Sequence, residues 1–360
     1  MESIKITNGL LKMMLFAMFA ALAIHPTPAT VFTILGVLVL LSFTLKKEQG
    51  AAYGIVIETW ANYIIERFWK DNQFLRFAYD DSDKVLAGRI VHIPQPGSKP
   101  VVVKNRSVFP GTAVRRTDTE VLYSLEEYTT DPTHIPNIDD IHLSYNKQDS
   151  VLGDHMTVLN ETVADDMLIK WAGNGTFVAT TGVTVNADGT TTVKVVQPVA
   201  GQTGTRKAFT EQDLVALMIQ MNMNNVPKQD RYCLIDDYMY AGFYASLSGT
   251  NAKDFSRYAD AANGVIGKLH GFNIMTRSSV VSATSANAVK ALGSALAATD
   301  NLCSIAWQKN SVAFAIGDHK LFQDTANPLY YGDIHSCLVM AGGRVRRGDG
   351  LGIYIIAQAA

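Results

Sequence analysis

The polar residues that could support chemistry fall into three short clusters. In the first, His134 and His142 flank Asp139-Asp140, and imidazole nitrogens with carboxylate oxygens are a common donor set for divalent metals. Two prolines interrupt the same stretch, which indicates an irregular connection rather than elements that hold ligands in a fixed geometry. We therefore predict no metal site.

The second cluster, Asp236-Asp237, follows a predicted strand at Tyr232–Ile235, a position where catalytic carboxylates often lie. A carboxylate in front of a helix also accepts hydrogen bonds from its first free backbone amides. Because a helix is predicted over Asp237–Ser246, we interpret Asp237 as the N-cap of that helix.

The third cluster, Arg344, Arg346 and Arg347, has the charge to bind phosphate. Gly348-Asp349-Gly350 follows at once and favours a charged hairpin turn. The chain also lacks the glycine-rich nucleotide loops and the serine-hydrolase and zinc-protease motifs. We predict no catalytic residue, no cofactor and no enzymatic activity.

Composition excludes several other classes of protein. The chain has 360 residues, of which 48% are hydrophobic and 18% charged, so it can bury a large core in two or three domains. A net charge of −2 gives no overall attraction to nucleic acid or anionic membrane. Cys233, Cys303 and Cys337 are widely spaced and odd in number, which argues against a disulfide framework and favours a reducing compartment.

Two apolar runs near the N-terminus, Met13–Ile24 and Val31–Leu45, have basic residues before the first and after the second. Three interpretations stay open: a signal peptide, a pair of membrane-inserted helices, or helices buried against each other or a neighbouring subunit. Each run is shorter than the ~20 residues that span a bilayer comfortably. Membrane contact through 13–45 is therefore left undecided by the sequence.

The elements that must position any site are organised around one long helix, predicted over Lys147–Ala172. Asp149 and Ser150 are candidate N-caps, and Gly173-Asn174-Gly175 ends the helix. At 1.5 Å per residue the helix is about 39 Å long. Its apolar residues recur every three or four positions and form one core stripe: Leu152, Met156, Leu159, Val163, Met167 and Trp171.

A long excursion separates two predicted strands, Gly88–Pro94 and Glu120–Tyr128, which indicates an extended, protruding β-hairpin. Proline 94 is expected to stop the first strand. The connecting segment Gln95–Asp118 is either a solvated loop or an arm that lies on an acidic surface of another subunit. It concentrates positive charge at Lys99, Lys104, Arg106, Arg115 and Arg116.

The remaining segments predict an α+β fold. Asp80–Asp83 is expected to be a solvated acidic turn, and Thr210 with Asp213 is expected to cap a helix that runs to about Met223. Further helices are predicted at Ile55–Phe68 and Ala286–Ala298. Further strands are predicted as a hairpin over Thr176–Gln197 and at Gly271–Met275, Ile305–Ile316, Cys337–Met340 and Leu351–Ala357.

Four stretches together carry a family resemblance. They are Glu58-Thr59-Trp60 with Gly88 and Val91-His92-Ile93-Pro94; Asn225-Val226-Pro227 with Arg231-Tyr232-Cys233-Leu234; Gly267 with Gly271-Phe272-Asn273-Ile274 and Ser278-Ser279; and Ile305-Ala306-Trp307-Gln308 with Val312-Ala313-Phe314. In this order and spacing, the chain from Ile55 onward resembles the major capsid (coat) protein of tailed double-stranded DNA bacteriophages.

The resemblance implies an α+β capsid fold, a structural role in an icosahedral shell around a DNA genome, and assembly in the host cytoplasm. The implied partners are other copies in hexamers and pentamers, scaffolding, portal and decoration proteins, and packaged DNA through non-specific contacts. The implied divisions are an N-terminal arm at 48–84 with Glu58 and Trp60, an extended loop at 85–130, a peripheral domain at 131–224 with a spine helix at 147–172, an axial domain at 225–328, and return strands of the peripheral domain at 329–360.

Two segments depart from the family pattern: the apolar hairpin at 1–47, and a β-hairpin at 176–197 that we expect to be inserted and to project from the shell. Lys99 or Lys104 could donate to a covalent cross-link, but no acidic catalyst is identifiable and none is predicted. Two alternatives stay open, a membrane-anchored enzyme or binding protein and an encapsulin-type compartment.

Overall fold

The computed structural model describes residues 72–85, 89–137, 147–186 and 188–360. The apolar hairpin at 1–47, most of the N-terminal arm with Glu58 and Trp60, and the Asp139-Asp140 and His142 cluster lie outside the described residues. Among the described helices, none has both the length and the apolar composition that crossing a bilayer requires.

Within the described ranges the chain is a mixture of helices and many strands, as the predicted α+β class requires. The helices are α1 (Lys147–Ala172), α2 (Glu211–Met223), α3 (Asp237–Ser246) and α4 (Gly249–Arg257). The strands are β1 (Tyr79–Asp80), β2 (Ile90–Gln95), β3 (Thr119–Ser124), β4 (Glu126–Thr129), β5 (Thr133–Pro136), β6 (Thr176–Ala179), β7 (Val183–Val185), β8 (Thr191–Val193), β9 (Val195–Val196), β10 (Arg206–Lys207), β11 (Arg231–Asp236), β12 (Gly267–Leu269), β13 (Phe272–Arg277), β14 (Val281–Ala283), β15 (Asn301–Gln308), β16 (Val312–Asn327), β17 (Gly332–Val345) and β18 (Ile353–Ala357).

A seven-stranded sheet has the order β12-β13-β11-β15-β18-β6, with β14 paired to β15. The β11–β13 pair is parallel, so the chain must cross over between these strands, and α3 and α4 lie in that crossover. Aromatic residues of the crossover helices and of β13, among them Phe243, Phe255 and Phe272, are buried in one core with Phe209. This core holds the helices against the sheet.

A five-stranded sheet has the order β1-β16-β17-β4, with β5 also paired to β17. Helix α1 lies against β17 and has the bounds predicted from its apolar period. The six residues of its predicted stripe are all buried. At its C-terminal end the Trp171 indole donates to the Ala313 carbonyl at 3.0 Å and lies 5.8 Å from the Trp307 ring, which belongs to the other sheet.

The predicted strand Ile305–Ile316 is wrong as a single element. β15 ends at Gln308, whose side chain accepts from the Asn310 amide at 2.9 Å, and a short 3-10 turn leads into β16. The turn is needed because β15 pairs with β11 and β18, whereas β16 pairs with β17 in the other sheet. The predicted strand Glu120–Tyr128 divides for the same reason, since β3 pairs with β2 and β4 pairs with β17.

The alanine-rich segment Ala286–Ala298 is an irregular loop, not the predicted helix. Asn287 and Gly293 have positive φ values of 62° and 73°, which a helix does not allow. The Asp300 carboxylate holds the loop by accepting from the Lys290 ammonium and the Ala297 amide. Alanine favours helix, but without an apolar stripe the segment gains little from packing as one.

The range Thr176–Gln197 is not one hairpin. β6 joins the seven-stranded sheet beside β18, and only β7 and β8 form a hairpin with the predicted turn. Gly175 allows β6 this position, because a Cβ there would lie 2.0 Å from Ile355 Cδ1. The hairpin is therefore confined to residues 183–193.

Three smaller predictions also need correction. Asp236, not Asp237, caps α3 by accepting from the Tyr238 amide at 3.0 Å. Pro94 lies within β2 rather than stopping it, since a two-stranded ribbon leaves one edge unpaired. The last two strands lie in different sheets, β17 in the five-stranded and β18 in the seven-stranded one.

Candidate assembly surfaces

The extended hairpin consists of β2, β3 and the tip at 96–118. The two strands are registered from Ile90 with Ser124 to Gln95 with Thr119. Just beyond, the Gly97 amide donates to Asp118 at 2.8 Å, and a Cβ on Gly97 would lie 2.0 Å from the Thr117 oxygen. Glycine therefore lets the strands stay close where the tip begins.

The base of the extended hairpin is fixed to the five-stranded sheet. The side-chain Nε2 of Gln95 donates to the Arg346 carbonyl at 2.8 Å, and the Arg344 guanidinium donates to the Leu122 carbonyl at 2.6 Å. The alternate residues of β2 and β3 that face inward share a small core with Ala315 and Met340. These residues are Val91, Ile93, Val121 and Tyr123.

A buried carboxylate lies beside this base, and its burial overturns the prediction of a fully solvated acidic turn. Asp81 is fully buried, although Asp80 and Asp83 are exposed. Lys84 donates to one Asp81 oxygen at 2.6 Å, and Arg346 Nε lies 3.6 Å from the other. The burial of Asp81 could not be predicted from the local sequence, because Arg346, which supplies the second positive charge, is 265 residues further along the chain.

The tip presents an unusual surface. Its five basic residues, Lys99, Lys104, Arg106, Arg115 and Arg116, are all exposed, and no acidic residue occurs in 96–117. Arg116 pairs with Asp118, and the other four have no acidic partner among the described residues. Large apolar side chains are exposed between them, including Val102 at 92% and Phe109 at 76%.

A groove of about 660 Å³ runs between the N-terminal half of α1 and the β4–β5 segment. Its acidic residues are Asp131, Asp154 and Glu127, which pairs with Arg89, and none of the described residues that line it is a lysine or arginine. Val158, which is 57% exposed, adds an apolar patch. Sequence reasoning missed this groove, because it depends on how β4 and α1 are placed relative to each other.

Two of the family-like motifs have clear structural roles. The buried Arg231 guanidinium donates to the Pro227 and Val226 carbonyls at 2.8 and 2.7 Å and to Asn222 Oδ1 at 2.9 Å. It thereby fixes the turn that leads into β11. Gly267 is required because a Cβ there would lie 2.5 Å from the Phe255 oxygen.

The described residues contain no group of three or more histidine, cysteine or acidic side chains arranged to hold a metal. The three cysteines are buried, and burial raises the pKa of Cys233 to about 12. What the geometry does provide is a protruding arm, an acidic groove and two sheets joined by a long helix.

The fold is that of phage capsid proteins, because solved capsid structures match it over most of the chain. The chain is similar to a structure of Mycobacterium phage Che8, with a TM-score of 0.52 and 18% identity over 79% of this chain and 90% of that one. It is similar to the capsid of Cyanophage P-SCSP1u, with a TM-score of 0.50 and 21% identity over 79% and 86%. It is also similar to the capsid of Ralstonia phage GP4, with a TM-score of 0.52 and 10% identity over 79% of this chain and 87% of that one.

No family model matches the sequence, and no curated protein matches it. The fold predicted from the resemblance to tailed-phage major capsid proteins is nevertheless confirmed by the structural similarity. The relationship is detectable in structure although the identities are at most 21% for these matches.

Proposed function

We propose that this chain is a structural protein that self-assembles in many copies into the icosahedral capsid of a double-stranded DNA phage. The observation that carries the proposal is the capsid fold with an extended hairpin whose tip has exposed apolar and basic side chains. Its role is structural rather than enzymatic, and its place is the virion capsid.

The composition of the tip favours binding to a partner. Exposed apolar surface costs about 25 cal/mol per Å² relative to burial, so several exposed valines and a phenylalanine favour association. The base of the hairpin is fixed by the Gln95 and Arg344 hydrogen bonds, which limits the entropy lost when the tip binds. Another copy of the chain is the partner that a shell provides.

The acidic groove is the surface that best complements the tip. It has Glu127, Asp131 and Asp154 where the tip has only basic residues, and it has apolar side chains where the tip has exposed valines. Opposite charges steer two surfaces together and fix their register. We assign the tip of one copy to the groove of its neighbour, with Lys99, Lys104, Arg106, Arg115 and Arg116 as contact residues.

The domain roles follow from the same proposal. Helix α1 is the spine of the peripheral domain, together with the five-stranded sheet, and the seven-stranded sheet with α2, α3 and α4 forms most of the axial domain. Because β18 lies in the seven-stranded sheet, the return segment at 329–360 contributes to both domains. Scaffolding, portal and decoration proteins and packaged DNA are the further partners of such a shell, which assembles in the host cytoplasm.

The test is electron microscopy and sedimentation of the full chain and of the double variant Arg115→Glu with Arg116→Glu. The variant is expected to lose at least tenfold in the yield of closed shells, since two attractions become repulsions. Arg115→Lys with Arg116→Lys keeps the charge and is the matched control. Adding Asp131→Lys and Asp154→Lys to the charge-reversed variant is expected to restore part of the yield.

Each part of the proposal can fail separately. Shells that form at normal yield from the charge-reversed variant would reject the tip-to-groove contact but not the capsid function. A wild-type chain that forms only monomers or small oligomers in every condition, with or without phage partners, would reject the capsid function itself.

A further inference from the structure

Two buried histidines occupy the interface between α1 and the five-stranded sheet. His335 of β17 is completely buried, and neither ring nitrogen has a hydrogen-bond partner among the described residues. His155 of α1 is 7% exposed, and its Nε2 is likewise buried without a partner. Buried polar atoms are rarely left unsatisfied, so this pair requires an explanation.

The pair lies on the face of the sheet that contacts the helix. Side chains alternate along a strand, so His335 points to the same side as Gly343. A Cβ on Gly343 would meet Met167 and Trp171 of α1, which establishes that this side faces the helix. His155 lies within the same buried surface of α1, next to Met156 of the core stripe.

The charged and titratable groups around the pair come from four elements. On β17 there is Asp333, on α1 Asp154, and on β5 the exposed His134. On β16, His319 lies on the same face as His335, four registered pairs away. Asp131 lines the groove beside His155. None of the described residues hydrogen-bonds His155 Nε2 or either ring nitrogen of His335.

We propose that His155 and His335 form a proton-sensitive contact that holds α1 on the sheet while both rings are neutral and loosens it when either ring binds a proton. A proton on His335, or on the buried Nε2 of His155, creates a charged N–H group that is shielded from water and has no hydrogen-bond partner among the described residues, which is costly. The helix must then move or admit water. A second proton adds repulsion between two like charges.

The direction of the effect follows from the protonation equilibrium. Burial lowers the pKa of both histidines, and the positive charge of His155 lowers the pKa of His335 further, although Asp154 and Asp333 act in the opposite direction. The loosened state therefore binds more protons than the packed state. Its stability relative to the packed state rises as the pH falls below about 6.5, the ordinary value for histidine.

Hydrogen exchange of the α1 amides in the full chain at pH 7.5 and 5.5, corrected for intrinsic rates, tests the proposal. We expect protection to fall at least tenfold at pH 5.5 in the wild type. His335→Leu and His155→Leu each leave one titrating ring and are expected to show a smaller loss than the wild type, and the double leucine variant is expected to lose less than threefold. His134→Gln, in the same sheet but exposed, and His319→Gln are controls that should behave like the wild type.

An equal loss of protection in the wild type and in both leucine variants would overturn the proposal, as would wild-type protection that does not change with pH. If His319→Gln alone removed the loss of protection at pH 5.5, the effect would belong to His319 and the proposal would also be overturned. Because the two leucine variants lie on different elements, one remains informative if the other does not fold. The measurement reads α1 whether or not shells form, so it is independent of the proposed function.

Discussion

At the scale of single residues, the structure gives physical reasons for motifs that in the sequence are only patterns. Arg231 follows Asn225-Val226-Pro227 because its guanidinium binds the carbonyl oxygens that this turn leaves free. Gly267 precedes β13 because the backbone of Phe255 passes too close for any side chain. Both residues act on the placement of β11 and β13, the parallel pair at the centre of one sheet.

Replacing Arg231 with methionine should therefore destabilise the fold strongly. The change leaves the buried Val226 carbonyl and two part-buried acceptors, the Pro227 carbonyl and Asn222 Oδ1, without this donor, and an orphaned buried group costs about 1–3 kcal/mol. We expect the free energy of unfolding, measured by urea titration, to fall by roughly 2–4 kcal/mol. Arg257→Met, at an exposed site on α4, is the control and should change it by less than about 0.5 kcal/mol. A similar small effect of both substitutions would contradict the role assigned to Arg231.

At the scale of elements, the outcome of the sequence predictions depends on whether the signal is local. The bounds of α1 were predictable, because apolar residues recur every three or four positions along its 26 residues. The cap of α2 was predictable because Thr210 and Asp213, joined by a 3.0 Å hydrogen bond, are three residues apart in the chain. The split at Gln308 and the position of β6 were not, because they depend on strands far away in the chain. The alanine-rich loop was wrongly predicted because residue propensity is weak next to a tertiary anchor such as Asp300.

The candidate site divides in the same way. The basic extended hairpin was predicted from its composition and spacing, and its five basic residues lie in the exposed tip. The groove requires the placement of α1 beside β4 and β5, and the histidine pair and the burial of Asp81 join segments that are 180 and 265 residues apart. No periodicity within one segment contains that information.

The Asp81–Arg346 contact is expected to stabilise the attachment of β1 to the base of the hairpin. Asp81→Asn preserves the shape but removes the carboxylate that Lys84 and Arg346 share, and breaking a buried pair costs about 3–5 kcal/mol. We expect a loss of roughly 3 kcal/mol in unfolding free energy, and a smaller additional loss when Arg346→Met is combined with it. A double-mutant cycle from urea titrations measures this coupling. Strictly additive losses would show that the two residues act independently.

At the scale of the whole molecule, two sheets share one covering helix and one protruding hairpin. The hairpin closes at Gln95 with Thr119, and its tip makes few contacts with the body beyond that point. We therefore expect the body to carry the stability of the chain, and under the proposed function the tip to carry association. This separation is what a protein needs if it must fold before it assembles.

Replacing 98–117 with a two-residue Asn-Gly turn should separate these two properties. Loops of this length contribute little to stability, so the unfolding free energy should change by less than about 1 kcal/mol. Closed shells should be absent by electron microscopy, because the tip no longer reaches a neighbour. Closed shells from the shortened chain, at the wild-type yield, would contradict the assignment of the tip as the assembly arm.

Arg346 also has a mechanical consequence. Its backbone carbonyl holds Gln95 at the base of the hairpin, while its guanidinium lies 3.7 Å from the Tyr79 ring centre and close to Asp81. In the proposed assembly, a neighbour that pulls on the tip would load β1 and β17 together, through Arg346, the Arg344 bond and the shared core at the base. The hairpin would then act as a lever that pivots at its base, and tension between copies would be carried by the five-stranded sheet rather than by a flexible loop.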